Sequence, residues 1–173
     1  MTIERKGIVT FNDQAQTLVG SDLKPGDLAP DFAATTLAWK TSHPLQETAG
    51  KVRILAAVLS LETSVCDRET RRFNEEASAL GPDVHTFVLS TDLPFTQERW
   101  CGAAGIERVT TLSDHARVDF GTQYGCLLKE ARILRRAAFV VGRDDRLVYA
   151  AYLPALGDEP DYAAVLAAAR QAL

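Results

Sequence analysis

The stretch between residues 53 and 90 constrains the fold most, because it reads as a strand, a helix and a second strand in succession. Arg53-Ile54-Leu55-Ala56-Ala57-Val58-Leu59-Ser60 has the length and composition of a buried strand, placed at about 52–60. An amphipathic helix follows over about 64–80. Positions 66, 70, 73, 77 and 80 (Cys, Thr, Phe, Ala, Leu) form its inward stripe, and Gly81-Pro82 closes it. His85-Thr86-Phe87-Val88-Leu89-Ser90 is the next strand.

The flanking segments extend this pattern. Residues 8–19 alternate loosely around Asn12-Asp13 and predict a short hairpin. Pro25-Gly26 and Ala29-Pro30 punctuate the chain before a short strand at 31–35, and 39–50 reads as a connecting segment with Pro44. Asp92 and Pro94 open a short helix that runs to about Trp100 and ends near Gly102. A strand at 110–113 and a helix at 118–124 follow. The apolar runs 137–141 and 147–153, separated by Gly142-Arg143-Asp144-Asp145-Arg146, predict a hairpin, and 161–173 an alanine-rich helix. Strands alternating with helices, then a late hairpin, predict α/β architecture with a mixed sheet. No linker divides the chain, so one domain over 1–173 is expected.

Charge and composition exclude some functions. A net charge of −4 and the absence of a basic run give no reason to expect nucleic acid. The longest apolar run, Tyr162 to Ala169, is eight residues, too short to cross a bilayer. The first residues carry charges without a following apolar core, so a cytoplasmic protein is expected. His43, His85 and His115 stand singly, and Cys101-Gly102-Ala103-Ala104-Gly105 lacks both the P-loop lysine and the dinucleotide fingerprint. Neither a metal nor a cofactor is expected.

Chemistry centres on the cysteines. Cys66, Cys101 and Cys126 are odd in number and form no C-x-x-C pair, which points to persistent thiols rather than a disulfide framework. Cys66 falls on the opening turn of the predicted helix, just past the carboxyl end of a strand. Open α/β sheets place ligand sites there, and the helix N-terminus favours a thiolate. The alternative is a buried structural cysteine, which the inward stripe also accommodates.

With these elements in place, the chain resembles the peroxiredoxins, specifically the bacterial thiol peroxidase group. The resemblance rests on Thr63-Ser64-Val65-Cys66-Asp67, Ser90-Thr91-Asp92-Leu93-Pro94-Phe95 and Arg99-Trp100-Cys101-Gly102-Ala103-Ala104-Gly105. It continues through Arg136-Ala137-Ala138-Phe139-Val140-Val141 and Glu159-Pro160-Asp161-Tyr162, and the early hairpin is similar to extra N-terminal strands of that group. It implies a thioredoxin-like fold, a homodimer and an atypical two-cysteine reduction of hydrogen peroxide and alkyl hydroperoxides. Cys66 is then the peroxidatic cysteine, Cys101 the resolving one, and a thioredoxin-type dithiol the reductant.

The same resemblance gives Thr63 a hydroxyl role in the peroxide site, where helix capping is the alternative. It gives Arg136 the anion-binding role, with Leu59 and Val65 lining the substrate position. Arg135 and Arg136 are neighbours on a strand edge and point to opposite faces, and a solvent-facing pair is the alternative. Cys101, followed by glycine at a helix end, sits in a segment that opens at low cost, although packing beside Trp100 is its alternative. Cys126 reads as a structural thiol.

Two positions depart from the family pattern. Leu59 replaces the usual proline, and Glu62 stands where the group has aspartate. Both imply an altered peroxide pocket. Two other functions stand beside the peroxidase. A thiol–disulfide oxidoreductase is disfavoured by the lack of C-x-x-C, and a non-catalytic redox sensor or interaction module would fit a site relaxed at Leu59.

Overall fold

The computed structural model describes residues 3–173, with the side chains of residues 77 and 78 left undescribed. The chain opens with the predicted hairpin, β1 (Glu4–Phe11) and β2 (Gln14–Val19). Asn12 and Asp13 take φ of +47° and +60°, the left-handed pair that a two-residue hairpin turn requires. This hairpin does not join the main sheet. It forms a four-stranded sheet with β8 (Leu127–Leu128) and β9 (Ile133–Leu134), in the order β1-β2-β8-β9.

The main sheet has seven strands in the order β11-β10-β5-β6-β7-β3-β4. Its members are β3 (Ala34–Thr35), β4 (Thr41–Ser42), β5 (Val52–Ala57), β6 (Val84–Ser90), β7 (Thr110–Ser113), β10 (Ala137–Val141) and β11 (Leu147–Tyr152). β5, β6 and β7 run parallel, whereas β10 is antiparallel to β5, so the sheet is mixed as expected. The connecting segment at 39–50 is more ordered than the sequence suggested. It holds β4 and a one-turn helix, α1 (Pro44–Glu47).

Side-chain alternation divides the core into two layers. Leu55, Ala57, Ala137, Phe139 and Val141 pack with Phe120 and Tyr124 on one face, near helix α4 (Asp119–Gln123). Ile54, Ala56, Val58, Ala138 and Val140 pack on the other against α2 (Ser64–Ala77) and α5 (Tyr162–Gln171), through Cys66, Phe73, Val165 and Leu166. Cys66, Thr70, Phe73 and Leu80 of the expected stripe are buried; the side chain at 77 lies outside the described residues.

Helix α3 (Pro94–Ala104) is longer than expected. Its cap is Gly105, left-handed at φ +66°, rather than Gly102, which is helical. Cys101 therefore lies within the last turn. The parallel β5–β6 pair places the start of α2 at the carboxyl edge of the sheet, where the loop 58–63 leads from strand to helix. No helix among the described residues is long and apolar enough to cross a membrane.

Candidate active site

Strand register builds the site. Ala137 pairs with Ala57, the last residue of β5, so Arg136 stands just beyond the strand end from which the chain turns toward Cys66. Alternation then separates the two arginines. Arg136 shares the parity of Ala138 and Val140 and faces α2; Arg135 shares that of Ala137 and faces the other layer. There Arg135 donates to the Gly125 carbonyl at 3.1 Å, pairs with Asp22 and lies 4.0 Å from the Tyr152 ring centroid. Both arginines are buried, so the solvent-facing alternative is overturned.

Arg136 donates through Nη2 to the Cys66 sulfur at 3.2 Å and to the Leu156 carbonyl at 3.2 Å. Its Nη1 makes an ion pair with Glu69. Cys66 and Glu69 are 0% exposed and Arg136 is 1% exposed, so these contacts are made out of water. One cation faces two groups able to carry negative charge. Burial pushes the Glu69 carboxyl above its ordinary range, against the pull of Arg136. Burial also works against the Arg136 charge, but Glu69 and Cys66 outweigh it and keep the guanidinium protonated.

Sequence reasoning missed Glu69. A signal existed: position 69 is one helical turn from Cys66 and borders the stripe through 66, 70 and 73, so a carboxylate there points inward. An inward carboxylate in an apolar layer needs a cationic partner.

The remaining predicted residues differ in burial and partners. Leu59 is buried in the cluster that contains Cys66, and Val65 is half-buried. Thr63 is exposed, and its hydroxyl donates to the Ser60 carbonyl at 3.0 Å. That bond fixes the loop before α2 and leaves the oxygen free to accept. Asp92 braces the same loop, accepting from the Ser60 hydroxyl at 2.7 Å and the Leu61 N–H at 2.8 Å. Leu61, Glu62, Thr63, Ser64, Asp67 and Trp100 are among the residues lining a cleft of about 420 Å³ over the start of α2. Glu62 forms an ion pair with Arg99 on the cleft's border.

Cys101 is half-buried and packs against the Cys66 cluster. Its sulfur lies 3.4 Å from the Thr111 hydroxyl, and burial pushes its thiol up. All three cysteines are free. Cys126 is fully buried on the opposite layer and donates to the Tyr124 carbonyl at 3.4 Å; burial raises its thiol far above the ordinary value. That environment fits a structural thiol.

Known proteins resemble this chain in sequence and in fold. The Redoxin family profile matches residues 24–166. The chain is 47% identical over 158 residues to the thiol peroxidase of Oceanobacillus iheyensis, covering 91% of this chain and 95% of that one. It is 45% identical over 162 residues to the thiol peroxidase of Bacillus subtilis, covering 94% and 96%. Among solved structures, a peroxiredoxin-like protein from Aquifex aeolicus superposes with a TM-score of 0.85 at 31% identity, over 97% of this chain and 99% of that one. The Redoxin profile over residues 24–166, with relatives matching over nine-tenths or more of both chains, places this chain in the Redoxin family, among the bacterial thiol peroxidases.

Proposed function

We propose that the chain, working as one domain in the cytoplasm, reduces hydrogen peroxide and alkyl hydroperoxides through Cys66. The observation that carries this reading is the 3.2 Å contact from Arg136 Nη2 to the Cys66 sulfur inside a dry layer. A buried guanidinium beside the sulfur binds negative charge that develops on a peroxide oxygen. The thiolate attacks the terminal peroxide oxygen, the O–O bond breaks, and the departing oxygen leaves as water or alcohol after taking a proton. Cys66 becomes a sulfenic acid.

Cys101 then resolves that sulfenic acid. Its sulfur forms an S–S bond to Cys66, the Cys66 S–O bond breaks, and hydroxide leaves as water with the Cys101 proton. A thioredoxin-type dithiol restores both thiols by exchange. Leu59 shares the buried cluster of Cys66, and Thr63 and Val65 on the loop and first turn before it would position the peroxide. A homodimer fits the exposed Trp39, Leu93 and Phe95, where the Trp39 and Phe95 rings lie 4.8 Å apart at the surface.

Replacing Cys101 by serine tests the cycle. The variant should consume one equivalent of peroxide and accumulate Cys66 sulfenic acid, trapped by a dimedone-type reagent, with steady turnover lost. Steady thioredoxin-dependent turnover in this variant would remove the resolving role. Leu59 probes the pocket, since proline there fixes the loop. Leu59→Pro should raise the rate constant with peroxide about fivefold, from roughly 1 kcal/mol of preorganisation. Unchanged kinetics and unchanged over-oxidation would detach Leu59 from the pocket's properties.

A further inference from the structure

We propose that Arg71 and Asn74, on the outer face of α2, are positioning residues that latch the Cys101 segment shut and so set the rate of disulfide closure. The inference rests on the resolving role of Cys101.

The contacts converge on one segment. Arg71 donates through Nε to Asp67 Oδ2 at 3.0 Å and through Nη1 to the Ala104 carbonyl at 3.2 Å, and its guanidinium carbon lies 5.6 Å from the Trp100 ring centroid. Trp100 donates its indole N–H to Asp67 Oδ1 at 2.9 Å, so both Asp67 oxygens are engaged. One turn further along α2, Asn74 Oδ1 accepts the N–H groups of Glu107 at 3.2 Å and Arg108 at 2.7 Å. Residues 100 to 108, which carry Cys101, are therefore held to α2 at Trp100, at Ala104 and at 107–108.

Closure requires that hold to be released. The Cys66 sulfur is fully enclosed and bonded to Arg136, whereas the Cys101 sulfur is bonded to Thr111 on β7. Neither thiol is paired with the other, and the last turn of α3 is tied further by the Gly105 and Ile106 N–H groups on the Cys101 carbonyl. Opening this turn breaks the α2 contacts and also relieves the desolvation that pushes the Cys101 thiol up. The latched state leaves a Cys66 sulfenic acid exposed longer to a second peroxide, which converts it to sulfinic acid with release of water. Latch strength thus trades resolution against over-oxidation.

Arg71→Met and Asn74→Ala test this, with Asn74→Asp as the variant that keeps the acceptor. Rapid-quench mass measurement after one peroxide pulse resolves sulfenic acid formation from disulfide closure. Closure should quicken about tenfold or more in the Arg71→Met/Asn74→Ala double variant, which removes three hydrogen bonds between α2 and residues 104–108 from the closed state. Sulfenic acid formation should be unchanged, the sulfinic fraction at high peroxide should fall, and Asn74→Asp should stay near wild type. Unchanged or slower closure in the folded double variant overturns the latch alone. Failure of the wild-type chain to form the Cys66–Cys101 disulfide overturns the resolving role and the latch together.

Discussion

Replacing Cys66 by serine is expected to abolish peroxide consumption altogether. A serine hydroxyl at this position has an ordinary alcohol's acidity, and Arg136 alone does not make it an anion near neutral pH. The fold should survive, because oxygen for sulfur changes little volume at a residue that already has a hydrogen-bond donor beside it. Residual thioredoxin-coupled turnover above the uncatalysed rate would show that another group reacts with peroxide. Cys126 does not offer such a group, since burial on the far layer keeps it a neutral thiol.

The second large effect concerns the Arg136–Glu69 pair. Arg136→Met should lower the rate constant with peroxide by about 10²–10³, the usual loss when one anion-stabilising donor is removed from an enclosed site. It should also cost about 3–5 kcal/mol of stability, because Glu69 is then buried without its cation. Glu69→Met should destabilise for the converse reason. In the Arg136→Met/Glu69→Met double variant an apolar pair replaces the ions, and stability should recover most of what Arg136→Met lost while activity stays low. Denaturant midpoints and peroxide kinetics on the four chains give the coupling directly. Additive destabilisation would mean that the two side chains do not act as a pair, and recovered activity would remove Arg136 from the chemistry.

Much of this arrangement was legible in the residues. The strand–helix–strand around Cys66 stood out because its apolar run, its inward stripe and its Gly81-Pro82 stop agree with one another. The hairpin turns at Asn12-Asp13 and at 142–146 carry local chemistry that needs no tertiary information. β8 and β9 did not show, because two-residue strands have no period and exist only through pairing with β2 and with each other. The one-turn helix α1 was hidden because four residues are too few to show a helical period.

The site was legible in part. Which of Arg135 and Arg136 meets Cys66 depends on the β10–β5 register, a non-local quantity. Glu69 escaped notice because a glutamate on a helix is ordinarily solvated, and only a partner 67 residues away, just before β10, makes its burial tolerable. Thr63 is the reverse case, since its position was plain but its hydroxyl is turned to Ser60.

Peroxide is expected to meet the Cys66 sulfur, held by Arg136 at the head of α2. Adding one equivalent of hydrogen peroxide to the reduced wild-type chain, followed by intact-mass and peptide mapping, tests it most directly. All oxidation should begin at Cys66, with the chain losing two hydrogens as Cys66 and Cys101 become linked and Cys126 stays reduced. Peroxide left unconsumed, or oxidation that starts at a sulfur other than Cys66, would contradict it.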